Sequence, residues 1–373
     1  MKRASETKLS NIASKKTANN KYFVLAAVQQ NGKALENTTN VFRGDKEVVL
    51  AAVRSHGYAL KHASEELRRD REVVLAAVQQ NGYALIFASE ELRGDREVVL
   101  ATVRSFGCAL QYATEELRGD REVVLATVQQ DGYALKYASK ELKGDIEIVL
   151  AAVRSYGKAL EYASEELRGD REIVLAAVKK NGYALEHASE ELRGDRELVL
   201  TAVQENGLVL KNTTNVFRGD KEVVLAAVQQ NGYALQDASE ELRGDRKIVL
   251  AAVRSYGSAL EYASEELRGD REVVLTAVTQ PFTFTEYVEY EDMIALEYAS
   301  EELQADREVV LAAVRSHGEA LQFASEELRG DREVVLAAVR NHSLAFKYAS
   351  EELLGDKLFL IKWLMILLTD LIN

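Results

Sequence analysis

A 25-residue period governs this chain. The tripeptide Val-Val-Leu begins at Val48, Val73, Val98 and Val123, and the same frame runs from Phe23 to residue 358. From one Asp to the next the consensus is D-R-E-V-V-L-A-A-V-x-x-x-G-x-A-L-x-Y-A-S-E-E-L-R-G. A unit this short cannot bury its own apolar face, whereas stacked units share a continuous core. The period therefore points to a repeat array, not to the two or three globular domains that 373 residues would otherwise suggest. One unit is longer. Val273 to Val309 spans 36 residues, 11 more than the period, and the excess, 281–291, holds the only proline, Pro281.

The 22 glycines fall in two phases, eleven after the V-V-L-A-A-V segment, as at Gly107, and eleven before the Asp, as at Gly119. Both read as helix punctuation. Asp95 is placed to cap a helix, Glu97 adds favourable charge in its first turn, and Val98 to Val103 is its interior. Gly107 is expected to end that helix in the left-handed conformation. Ala109, Leu110, Ala113 and Leu117 then mark one face of a second helix. Ser or Thr at the phase of Thr114 leaves two outcomes open, a continuous helix or a short turn followed by a one-turn S-E-E-L-R segment. Leu100 and Val103 recur in every unit and are assigned to the core. The expected fold is all-α, an elongated, curved α-solenoid of about thirteen 25-residue helical repeats with a hydrophobic C-terminal helix. Where glycine is replaced, at Arg69, Met293, Ala305 and Ser343, a local change in the superhelix is expected.

The unit A-L-x-x-A-S-x-x-L-R-x-D-x-E-V-V-L-A-A-V-x-x-x-G, seen from Ala84 to Gly107, resembles the repeats of domain-of-unknown-function family 4116. Those repeats occur in tandem in bacterial, protist and large-virus proteins. The resemblance runs from Lys21 to Lys357 and implies a helical repeat array. A Pro often follows the Ser in that family, whereas Glu stands there in this chain. The family has no established catalytic residues, so the resemblance assigns none here.

Charge and residue chemistry exclude several activities. Residues 1–20 carry five basic side chains against Glu6, a net +4, so the remaining residues carry −17 and the whole chain −13. This leader reads as a disordered basic tail without a secretory apolar run, and an intracellular, cytoplasmic location is expected. Cys108 is alone, which excludes an internal disulfide. His56, His317 and His342 share one phase, and His62 and His187 another. Layers about 9–10 Å apart hold such imidazoles too far from one another for a zinc site. Glu115 and Glu116 recur beside Arg118 and Arg121, which suggests solvated ion-pair ladders and not a catalytic pair. No phosphate-binding glycine loop, nucleophile elbow or H-E-x-x-H occurs. Arg54, Arg104, Arg154, Arg254, Arg315 and Arg340 form one row with Lys179, but the acidic body disfavours nucleic acid. The expectation is a protein that is not an enzyme and has no cofactor and no metal.

Aromatic residues supply the candidate contacts. Phe87, Tyr112, Tyr137, Tyr162, Tyr262, Tyr298, Phe323 and Tyr348 share a phase and read as core or half-core. Tyr83, Tyr133, Tyr183 and Tyr233 follow the first glycine, while Phe106, Tyr156 and Tyr256 precede it. Both placements are expected to fill one space between layers, which accounts for a weaker period of 50. Phe282, Phe284, Tyr287 and Tyr290 in the insertion form a candidate partner-contact loop. Leu358 to Ile372 is shorter than the ~20 residues of a membrane span and is interrupted by Lys362 and Asp370. It reads as a capping or association helix over 358–373, with Trp363, Met365 and Leu367 as further contact candidates. The leading expectation is a protein-interaction scaffold with a protein partner. The alternative is a structural, self-assembling protein that forms a homo-oligomer or larger array through its repeats and C-terminal helix. A third reading is an acidic regulatory or substrate-targeting module for a separate enzyme, and the C-terminal helix also offers a membrane contact.

Overall fold

An Asp caps the long helix as its spacing requires in every described unit but the first, where Asn20 takes its place. In the computed structural model, which describes residues 20–104, 106–280, 294–359, 361 and 363, Asp95 Oδ1 accepts the Val98 N–H at 2.9 Å. Asp120 does the same for Val123 at 3.0 Å. The helix that follows runs for ten residues in most units, as in Arg71–Gln80 and Arg121–Gln130. All described elements are helical, and no strand occurs among the described residues.

The second half of the unit is broken, not continuous. A six-residue 3-10 helix, Gly82–Phe87, is followed by Ala88 and Ser89 in extended conformation and then by the single turn Glu90–Arg93. Ser89 has φ −60° and ψ 158°, and its Oγ accepts from Leu92 N–H at 3.4 Å. Its own N–H turns out of the unit and donates to Arg68 O in the preceding one at 3.0 Å. A continuous helix would send that N–H back along its own axis. The hydrogen bond between layers is therefore what selects the broken form. It recurs from Ser64 to Arg43 O at 2.8 Å and from Ser264 to Arg243 O at 3.0 Å.

The chain divides into two compact units, residues 1–192 and 193–373. Within the first, consecutive long helices lie side by side from Lys21–Gln30 to Arg171–Lys180. Within the second, the same arrangement runs from Arg196–Glu205 to Arg332–Asn341. In each, the core takes Val98, Val99 and Val103, all at 0% exposure, or their equivalents from the long helix, which are buried except for Phe23 in the first. Ala109, Leu110, Ala113 and Leu117 and their equivalents cover them from the other side. Thr102 and Thr127 replace an alanine of this core, and each hydroxyl is satisfied by the carbonyl four residues earlier, at 2.7 and 2.6 Å.

Leu100 is not a core residue. It and most of its equivalents, including Leu25, Leu50 and Leu336, are only half-buried. At 100° per residue, positions 98, 99, 102 and 103 span the buried arc, and position 100 falls just outside it.

The glycines also act differently from expectation. None of the described glycines has positive φ. A Cβ on Gly57 would stand 2.5 Å from Ala77 O and on Gly232 2.4 Å from Ala252 O, each on the next unit's long helix. The first class is there for close approach between layers. The second class has no such demand: Gly44 sits at φ −98°, ψ −4°, and its nearest atom to an added Cβ is 3.6 Å away. Arg69 at φ −99° and Ala305 at φ −101° adopt the same backbone, so replacing glycine there changes nothing in the local chain path. Ser343 likewise opens a regular 3-10 helix, Ser343–Tyr348, and Met293 lies outside the described residues.

Candidate interaction surface

Ion pairs tie the layers together, though not through the predicted Glu pair. Glu115 and Glu116 are exposed in the first turn of the single-turn helix. The ladder uses the D-R-E trio instead. Lys46 Nζ meets Asp70 at 2.8 Å and Glu72 at 2.9 Å in the next unit. Arg96 pairs with Asp120 at 3.2 Å and also with Glu122. Arg196 pairs with Asp220 at 3.0 Å and Glu222 at 2.6 Å. The Arg196 guanidinium beside Asp220, with the capping N–H of Val223, holds that carboxyl below its usual range. Arg246 acts likewise on Asp270. Burial pushes the Asp120 carboxyl up, but the Val123 N–H and Arg96 outweigh it and the net shift is downward. Ile146, exposed to 60%, replaces this arginine in one unit and interrupts the ladder before Asp170 and Glu172.

The outer face of the long helices carries the half-buried leucine row, and the arginine row lies beside it. Arg54, Arg104, Arg154, Lys179, Arg254, Arg315 and Arg340 are all exposed. Between the first two long helices an open groove of about 770 Å³ is lined by Leu25, Gln29, Lys46, Leu50, Ala51 and Arg54 among others. In the second compact unit a groove of about 630 Å³ lies among Arg315, Arg332, Leu336, Ala337 and Arg340. Behind this row the next residue supports the layer: Ser55 and Ser155 accept the N–H of Gly32 and Gly132 at 3.2 Å, and Gln80 accepts that of Gly57.

The rings meet between layers, as the alternation in sequence predicts. Tyr133, just after its glycine, lies 6.3 Å from Tyr156, just before the next one. Tyr233 and Tyr256 are 5.2 Å apart. Asn81, Asp131, Asn181 and Asn231 cap the 3-10 helices where no aromatic ring occupies that position. The other aromatic phase, from Phe87 to Tyr348, is half-buried throughout.

The remaining candidates are scattered. His187 contacts Glu186 at 3.2 Å, and His342 contacts Glu319 at 3.5 Å. Among the described residues no three His, Cys, Asp or Glu side chains converge on a metal-sized site. Burial, and then Asp131 at 3.2 Å, push the Cys108 thiol up, away from the reactive thiolate. Phe282, Phe284, Tyr287 and Tyr290 lie outside the described residues, as do Met365 and Leu367. Trp363 is described and is half-buried, stacked on Phe346 at 4.5 Å, while Phe359 is 3% exposed and enters the core in register. No helix among the described residues is long and apolar enough to cross a membrane.

A family model described as a domain of unknown function (DUF4116) matches the chain in overlapping segments. They begin at 20–68, 45–93, 70–118, 95–143, 120–168 and 145–193 and continue at 195–243, 245–304, 285–329, 306–354 and 331–365. No curated protein matches the chain.

Proposed function

The chain belongs to the DUF4116 repeat family, and from that premise we propose that it is a non-enzymatic protein-interaction scaffold. Its partners are received on the outer face of the long helices. The observation that carries this reading is the leucine row. Leu25 and Leu50 leave part of their side chains in an open groove beside Gln29, Lys46 and Arg54. An apolar strip rimmed by charged and amide groups is the composition of a protein-binding surface. The acidic groups offer little for catalysis, because the capping Asp residues are already engaged by backbone N–H groups and cations. A net charge of −13 favours a protein partner over nucleic acid.

The test is affinity capture from the source cells with the full chain and with Leu50→Glu and Leu336→Glu variants of unchanged far-ultraviolet circular dichroism. Partners retained by the parent chain are expected to be lost by the variants; an unchanged set of partners overturns the reading. Light scattering gives a second check, with monomers expected from both the full chain and a chain ending at Asp356. An oligomer that disappears on that truncation supports self-assembly instead, a reading suggested by Leu358 at 74% and Ile361 at 56% exposure.

A further inference from the structure

Besides the exposed Arg54 row, a second, half-buried row of cations meets no carboxylate among the described residues. Arg43, Arg68, Arg93, Arg118 and Arg168 each end a single-turn helix, and Lys143 takes the same phase inside the 3-10 turn Leu142–Gly144, so six consecutive repeats of residues 1–192 carry a cation there. The arginines of the ladder, such as Arg96 and Arg121, each meet two carboxylates. Among the described residues no carboxylate forms an ion pair with any of these six. The Nε atoms of Arg43, Arg68, Arg93, Arg118 and Arg168 are buried without a hydrogen-bond partner, which leaves the two Nη groups as the outward edge of each guanidinium. Arg43 spends one Nη on the carbonyl of Glu36 in its own unit. Burial, and then the neighbouring Arg118, push the Lys143 ammonium down, as expected for a cation that faces only like charge.

The row is also held in register. The carbonyl of each of these residues accepts the N–H of Ser64, Ser89, Thr114, Ser139, Ser164 or Ser189 in the following unit, at 2.8–3.1 Å. Successive cations are therefore one layer apart, about 8–10 Å at ordinary helix packing distance. An extended or polyproline-type segment advances about 3.1–3.4 Å per residue, so every third residue recurs at about 9–10 Å. A carboxylate offers two oxygens to the paired Nη groups, the strong form of a charge-assisted hydrogen bond. Duplex DNA places a phosphate about every 3.4 Å along each strand, so two of every three would stand without a cation against an acidic body, whereas a peptide need carry charge only opposite each cation.

We propose that this row is a track for an extended acidic peptide segment of a protein partner, with a carboxylate at every third residue. The proposal rests on the scaffold reading and gives one class of its partners. The test uses the full chain and a fluorescent peptide bearing one Glu for each cation of the row, spaced every third residue. An isomer of the same composition with its Glu residues bunched at one end is the comparison. Fluorescence anisotropy is expected to show the spaced peptide binding about tenfold more tightly, with the preference lost in high salt. The combined Arg68→Gln, Arg93→Gln and Arg118→Gln variant should lower affinity about tenfold or more, and Arg54→Gln with Arg104→Gln should not. Equal binding of the two peptides overturns the track even if the triple variant fails to fold. Parent-like binding by a folded triple variant overturns it as well, as does tighter competition by a single-stranded oligonucleotide. Leu50→Glu should leave peptide binding intact, so loss of the track and loss of the outer-face reading give different results.

Discussion

At the scale of single residues, the two glycine phases look alike in sequence and do different work. Gly57 allows its layer to approach Ala77 O, where an added Cβ would stand at 2.5 Å. Gly44 closes a short helix with a backbone that Arg69 adopts equally well. Replacing Gly57 by Ala is expected to destabilise by about 1–3 kcal/mol through forced separation of the layers. Replacing Gly44 by Ala should stabilise by about 0.4–1 kcal/mol, because it restricts the unfolded chain without straining the folded one. Urea unfolding of the two variants checks both signs, and a Gly57→Ala variant as stable as the parent contradicts the close-approach account. The sequence shows where glycine recurs and cannot show why. The atom that excludes a side chain at Gly57 belongs to a residue twenty positions later, and only the stacked structure brings it near. Leu100 was misplaced for a related reason. Recurrence marks a position as constrained, but a half-exposed row constrained by stacking recurs as strictly as a core row.

At the scale of the element, the long helix was legible because its cap, its first-turn acid and its apolar run are all local. The broken second half was not, since the N–H of Ser89 chooses between helix and neighbour by what the preceding unit offers. The ladder adds a pH dependence with a definite sign. Asp220 and Asp270 titrate below the free-chain value of 3.8 in the folded protein, because Arg196 and Arg246 and the capping N–H groups favour their charged forms. Above 3.8 both folded and unfolded carboxylates are ionised and the contribution is complete. As the pH falls below that value the unfolded chain takes up protons first, and stability is lost until the folded carboxylates protonate too. Thermal midpoints are expected to be level near neutrality and to decline as the pH drops through and below 3.8. The Asp220→Asn variant should start from a lower midpoint and show a shallower decline. A parallel curve for that variant would remove Asp220 as a contributor.

At the scale of the whole molecule, the repeat carries its own glue. Within each compact unit most layers are joined to the next by a hydrogen bond from Ser or Thr N–H to a carbonyl, a cation on the next unit's acids, a glycine in close approach to the next unit, and the shared valine and leucine core. All four are nearest-neighbour terms, and so damage should spread by adjacency. Val99 is 0% exposed in Arg96–Val103, and its truncation to Ala should cost roughly 2 kcal/mol. Hydrogen exchange on that variant is expected to lose protection in Arg96–Val103 and in its neighbours Arg71–Gln80 and Arg121–Gln130. Protection in Ile146–Ser155 and Arg171–Lys180 should remain close to that of the parent chain, because one and two intact interfaces, respectively, separate them from the damaged one. A uniform fall across residues 20–192 would mean that the layers unfold together and that coupling along the array outweighs the individual interfaces. A graded fall would show that the interfaces set stability one by one, which is the property a long rigid surface needs if a local opening is not to dissolve it.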